Sequence, residues 1–231
     1  PATFNTGPDY NVTPLNAFSR GLENLVARSV IQPLGAPAPI IGSYDRAVIA
    51  GPTTYALEYV PEADFIGGLA DTNSADYAAS NPLYVGAHVH SPANGNQGYY
   101  LSNNGGVAGS WTQCGTIVTQ ASGGFSALAS PTNAIAVGVS GGVVNGTYLQ
   151  YCTTLGSTNT WLKTSGFPAN NPTDPFDYWP RSRDQSGCPL ASDKVNVGTF
   201  YYLYPNYGLY RSTDQGASVT LVCSDVPVGA G

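Results

Sequence analysis

One hairpin recurs three times along the 231 residues and constrains the fold more than any other feature of the sequence. Gly98-Tyr99-Tyr100-Leu101-Ser102-Asn103-Asn104-Gly105-Gly106 is followed by Ser110-Trp111. Roughly 50 residues later, a spacing typical of stacked repeats, Thr147-Tyr148-Leu149-Gln150-Tyr151-Cys152-Thr153-Thr154-Leu155-Gly156 is followed by Thr160-Trp161. A third copy runs Gly208-Leu209-Tyr210-Arg211-Ser212-Thr213-Asp214-Gln215-Gly216, then Ser218-Val219. Each is an aromatic strand, a polar turn ending in glycine, and a hydroxyl plus bulky residue opening the next strand. Such a turn is a staple: the polar residue accepts turn amides, the glycine takes positive φ, and the bulky residue packs between sheets.

The rest of the chain agrees with an all-β fold. Helical spacing is nearly absent; residues 17–30 have room for one turn or so, weakened by Gly21 and a β-branched end. Elsewhere short apolar or alternating runs, at 39–43, 47–51, 54–60, 83–90, 116–120, 134–140, 147–151 and 198–204, are cut by Gly, Pro, Asn and Asp. They read as strands. Gly (28) and Pro (18) together make 46 of 231 residues, which suits many tight turns. Charged residues are only 10%, but 16 Tyr, 7 Phe and 3 Trp supply a core that disordered chains lack. A net charge of −6 argues against a nucleic-acid partner, and no apolar run is long enough for a membrane span.

The cleanest copy, Ser212-x-Asp214-x-Gly216-x-Ser218-Val219, resembles the Asp-box, S-x-D-x-G-x-T-W, of sialidase-type β-propellers. The first two copies depart from it, with Asn104 and Thr154 for Asp and two extra residues before Trp111 and Trp161. The expected fold is a β-propeller of about four four-stranded blade-like units, whole or part of a larger one. Residues 1–231 are read as one such domain, with 1–20 as an extended N-terminal segment.

Three further stretches resemble the C-terminal half of the catalytic module of xyloglucan-specific endoglucanases, a two-propeller glycoside hydrolase family. They are Gly21-Leu22-Glu23-Asn24 with Gln32-Pro33 and Ala38-Pro39-Ile40-Ile41-Gly42-Ser43-Tyr44-Asp45, Asp76-Tyr77-Ala78-Ala79-Ser80-Asn81-Pro82, and Asp193-Lys194-Val195-Asn196-Val197-Gly198-Thr199-Phe200-Tyr201. Their order and spacing match from about residue 20 to 223. Nothing resembles the family's N-terminal half. The resemblance implies inverting hydrolysis of a β-1,4-glucan or xyloglucan with Asp45 as general acid; the partner aspartate belongs to the half not found here. A companion half-propeller or a second copy of the chain would have to supply it. The family follows its acid with glycines, whereas Arg46 follows here and would lower a carboxyl pKa that a general acid needs raised. The bland reading of Asp45 is a turn residue paired with Arg46.

Other candidates come from the residues themselves. The 168–181 insertion carries Asp174, Asp177, Tyr178 and Trp179, a set able to stack on a sugar face and bind its hydroxyls, or to pin the loop to the body. His88 and His90 share a strand face but no motif supplies a third metal ligand, so no metal or other cofactor is expected. The four cysteines allow three pairings; Cys114 with Cys152 and Cys188 with Cys223 would each bridge neighbouring strands of one repeat, against the alternative of buried thiols. Asn145 and Asn11 head glycosylation sequons. With an acidic balance and no Met anywhere, these features point to a processed, secreted chain or a piece of a longer one. The rival readings are a non-catalytic propeller that binds glycans or proteins, and a structural extracellular protein.

Overall fold

The computed structural model describes residues 26–36, 38–44, 47–50, 58–59, 71–90, 97–115, 124–138, 149–166, 190–204 and 208–226. Among these the chain is all β, and no helix is long and apolar enough to cross a membrane. Four four-stranded antiparallel sheets each take their strands in chain order. Blade 1 holds β1 (Val26–Ile31), β2 (Ile40–Tyr44), β3 (Ala47–Ala50) and β4 (Glu58–Tyr59). Blade 2 holds β5 (Asp71–Ala78), β6 (Asn81–His90), β7 (Gln97–Ser102) and β8 (Trp111–Gln113). Blade 3 holds β9 (Gly124–Ser130), β10 (Asn133–Gly138), β11 (Leu149–Cys152) and β12 (Leu162–Lys163). Blade 4 holds β13 (Leu190–Ser192), β14 (Phe200–Tyr204), β15 (Gly208–Ser212) and β16 (Thr220–Cys223). The β-branched end of the 17–30 stretch is therefore strand β1, as its crowded χ1 angles favour.

The first strands of successive blades, β1, β5, β9 and β13, pack side by side. Having no ladder partner on that side, their backbones are stitched by side chains. The Ala75 N–H donates to Ser29 Oγ at 3.1 Å, the Ser126 N–H to Ser74 Oγ at 2.7 Å, and the Leu128 N–H to Asp76 Oδ2 at 2.9 Å. The last two pairs are both 52 residues apart, so β5 and β9 run in the same direction in fixed register.

Blades 2 and 3 each bury one face on the blade before and the other on the blade after. The alternation of β6 makes this visible: Val85, Ala87 and Val89 join Ile40 and Val48 of blade 1 in one core. Its other face leaves Gly86 beneath Tyr99, which joins Cys114 of blade 2 and Leu128 and Cys152 of blade 3. Ile135 and Leu149 then meet Phe200, Tyr202 and Tyr210 of blade 4. Stacking of twisted four-stranded sheets about their first strands, with apolar seams between them, is the construction of a partial β-propeller.

Candidate functional site

The topology separates the blades into two ends with different chemistry. The first-to-second and third-to-fourth strand turns lie at one end, here the staple end. The second-to-third strand links and the crossings between blades lie at the other.

At the staple end the three repeated hairpins have a common geometry. In the third, Ser212 Oγ accepts the Gly216 N–H at 2.9 Å, and Asp214 accepts the Ser218 N–H at 2.9 Å and the Ser218 hydroxyl at 2.6 Å. Partial burial pulls the Asp214 carboxyl up, but the bonds from Ser218 and Ser212 together hold it below the usual carboxylate range. In the first, Ser102 Oγ accepts the Gly106 N–H at 2.9 Å, and Ser110 Oγ meets Ser102 Oγ at 2.7 Å without an aspartate. In the second, Cys152 Sγ accepts the Thr154 N–H at 3.4 Å and Thr154 Oγ1 accepts the Thr160 N–H at 3.3 Å. Sulfur and threonine thus do the work of serine and aspartate. The two Trp residues are packing groups, as expected: Trp111 Nε1 donates to the Gly106 carbonyl, and Trp161 Nε1 to the Cys114 carbonyl while its ring meets Tyr99 edge-on at 5.3 Å.

The cysteine pairing expected between residues 114 and 152 is not formed. Both are free thiols in one core seam, and Cys223 is an exposed free thiol. The sulfurs have local roles instead: Cys152 sits in the turn, and Cys114 Sγ faces the Thr112 carbonyl at 3.6 Å. Burial pushes the Cys114 thiol up, away from the reactive thiolate. Cys188 lies outside the described residues.

Two of the stretches singled out in the sequence converge at this end. Lys194 Nζ meets Asp76 Oδ1 at 2.7 Å and Ser192 Oγ at 2.6 Å, and lies 4.3 Å from the Tyr77 ring centre. Asp76 Oδ2 also accepts the Ser192 hydroxyl at 2.8 Å. With the Leu128 N–H on the same carboxylate, one ion pair links blades 2, 3 and 4. Sequence reasoning quoted both residues without giving them a role; the signal available was that Lys194 is one of only two lysines. Asp76 lies within β5, a strand that the apolar and alternating runs of the sequence do not include. Asp193 beside it caps the β13–β14 turn, and bonds from Asn196 and the Val195 N–H hold its carboxyl at about 2. Asp76, Asp193 and Asp214 are thus engaged in structural hydrogen bonds and ion pairing.

The links between second and third strands and the crossings between blades lie at the opposite end. Asp45, Asp174, Asp177, Tyr178, Trp179, Asn11 and Asn145 all lie outside the described residues. Their flanking strands are informative: β2 ends at Tyr44 and β3 begins at Ala47 at this end, and β12 and β13, which bracket the 168–181 insertion, end and begin here. At the same end of blade 2, Asp71, His90 and Gln97 occupy one register row across β5, β6 and β7. His88, two residues inward, is buried opposite Tyr99. Among the described residues no group of three or more His, Cys, Asp or Glu could hold a metal ion.

The same architecture occurs in solved structures. The GH74 enzyme of Niastella koreensis matches 85% of this chain with a TM-score of 0.55 at 20% identity. The GH74 xyloglucanase of Xanthomonas campestris matches 85% with a TM-score of 0.58 at 15% identity. An ancestral GH74 enzyme matches 87% with a TM-score of 0.54 at 15% identity. This chain spans 24% of the length of each. No protein-family model matches the sequence, and no curated protein matches it either. The likeness bears out the partial-propeller fold and the resemblance carried by the sequence motifs.

Proposed function

We propose that this chain is part of a secreted, glycan-acting propeller module whose substrate is a β-1,4-glucan such as xyloglucan. The observation that supports the reading is the shared blade arrangement with GH74 enzymes, one of them described as a xyloglucanase, over most of the chain. In this reading Asp45 is the general acid of an inverting hydrolysis. A second carboxylate roughly 6.5–9.5 Å away would activate the water on the far side of the sugar ring. Tyr178 and Trp179 stack on pyranose faces, and Asp174 and Asp177 bind hydroxyls. The three staples act as Asp-box hairpins that hold the blades beneath this face.

Incubation with xyloglucan and assay of new reducing ends tests the proposal. Activity that Asp45→Asn abolishes while glycan binding persists supports the acid role. Hydrolysis unaffected by Asp45→Asn removes that role from Asp45. A second reading, glycan binding without hydrolysis, is favoured by one observation: Arg46 follows Asp45 and would lower a carboxyl pKa that a general acid needs raised. Binding without new reducing ends selects it.

A further inference from the structure

Asn-Gly is the sequence pair in which a side-chain amide is most readily lost, because glycine puts no side chain beside the attacking backbone nitrogen. It occurs three times in the chain, at 94–95, 104–105 and 145–146, and the described residues include the middle one. Asn104-Gly105 lies in the first staple, between Ser102 and Gly106. Ser102 Oγ accepts the Asn104 and Gly106 N–H groups at 3.2 and 2.9 Å, as Ser212 Oγ accepts those of Asp214 and Gly216 at 3.4 and 2.9 Å. Asn104 thus stands where the third staple has its aspartate. Its side chain is exposed. Gly105 has φ of +67°, and a Cβ there would meet nothing beyond its chain neighbours nearer than Leu83 Cδ2 at 3.9 Å. The restraint on the pair comes from the backbone: the Gly105 N–H, whose nitrogen is the nucleophile, donates to the Leu83 carbonyl at 2.7 Å.

We propose that Asn104 is a site of intramolecular deamidation, held in check in the folded chain by the Gly105–Leu83 bond. In the reaction the Gly105 nitrogen loses its proton and bonds to Asn104 Cγ, and the side-chain nitrogen leaves as ammonia, closing a cyclic succinimide. Water then opens the ring, so the sequence consumes water, releases ammonia and changes no oxidation state. Opening at Cγ leaves an aspartate at 104; opening at the backbone carbonyl leaves an isoaspartate, with the chain routed through the former side chain. A nitrogen that donates its proton to a carbonyl at 2.7 Å is restrained from losing that proton and from turning toward Cγ. Conversion therefore requires the staple to part from the start of β6, a local opening far short of unfolding. Aspartate would give the first staple the carboxylate it lacks. Isoaspartate would lengthen the backbone between Ser102 and Gly106 and disturb the bond that closes the turn. The site stands independently of the glycan-acting reading.

The test incubates the full chain at mildly alkaline pH, folded and in urea, and follows its chymotryptic peptides by mass spectrometry. Cleavage after Leu101 and Trp111 isolates residues 102–111, which contain no other Asn-Gly pair. Asn104→Asp supplies the product standard. The expected result is conversion at Asn104 in urea and a rate roughly tenfold or more lower in the folded chain, the ratio that a modest local opening equilibrium sets. Ser102→Ala, which takes the acceptor from two turn N–H groups, should raise the folded rate severalfold with the far-ultraviolet spectrum unchanged. Equal rates folded and in urea overturn the restraint, and no conversion at Asn104 in urea overturns the site. A folded Ser102→Ala whose rate is unchanged overturns the staple's part in the restraint. The comparison of folded chain with urea uses the unmutated protein, so a Ser102→Ala that does not fold leaves it intact.

Discussion

Removing either member of the Asp76–Lys194 pair tests how the blades are held together, because the two substitutions differ in what they strand. The side chains are 15% and 31% exposed respectively, between the limits of a surface bridge and a buried one. Lys194→Met takes one charge-assisted bond from a carboxylate that keeps the Leu128 N–H, the Ser192 hydroxyl and the Tyr77 N–H. The expected cost is about 1–2 kcal/mol. Asp76→Ala strands more: the ammonium loses its counter-ion, and the Leu128 N–H and Ser192 hydroxyl lose their acceptor. Its cost is about 3–4 kcal/mol. With an m-value of about 2 kcal/mol per molar urea, the urea midpoint falls by roughly 0.5–1 M for Lys194→Met. The corresponding fall for Asp76→Ala is roughly 1.5–2 M. Equilibrium urea unfolding followed by tryptophan fluorescence reads both, since Trp111 and Trp161 lie in the seams. Equal costs, or a Lys194→Met loss exceeding that of Asp76→Ala, would refute the claim that the carboxylate is the hub.

Four other outcomes follow from the geometry. A Cβ on Gly86 would stand 1.8 Å from the Tyr99 hydroxyl oxygen, so Gly86→Ala should cost at least about 3 kcal/mol by overpacking. Burial pushes the Tyr99 hydroxyl well above its usual pKa, and that oxygen has no hydrogen-bond partner among the described residues; Tyr99→Phe should therefore be neutral or stabilising by about 1 kcal/mol and should partly rescue Gly86→Ala, both checked by thermal melts. Gly216 has φ of +97° and a Cβ there would lie 2.6 Å from Tyr151 Cβ, so Gly216→Ala should cost about 2–3 kcal/mol by the same assay. Asp193 and Asp214 are both lowered in the folded state, so their contribution is complete above the unfolded carboxyl value of 3.8 and is lost as pH falls toward 2. Urea midpoints measured between pH 5 and 2 should fall less steeply in Asp214→Ala than in the unmutated chain.

The sequence made the outer parts of the blades legible and the inner parts much less so. Strands β7, β11 and β15 announce themselves through tyrosine and leucine before a glycine turn, because they fill the seams between sheets. Strand β5, with sequence DTNSADYA, reads as a turn by composition. It is a strand because Ser74 and Asp76 satisfy the backbone of the neighbouring blade, a demand that exists only once the blades are assembled. The second hairpin looked degenerate, yet Cys152 and Thr154 offer the same acceptor positions as Ser212 and Asp214. That substitution also explains why an expected disulfide partner is a turn residue instead. The Asp71–His90–Gln97 row was not legible at all, since its members are separated by up to 26 positions and only strand register aligns them.

The proposal that this chain acts on a glucan through Asp45 and the 168–181 insertion is tested most directly by calorimetric titration with xyloglucan oligosaccharides. The account predicts saturable binding, weakened at least tenfold by Trp179→Ala and unaffected by Lys163→Gln at β12. No heat of binding, or binding indifferent to Trp179 while sensitive to Asp214→Ala at the staple end, would contradict it.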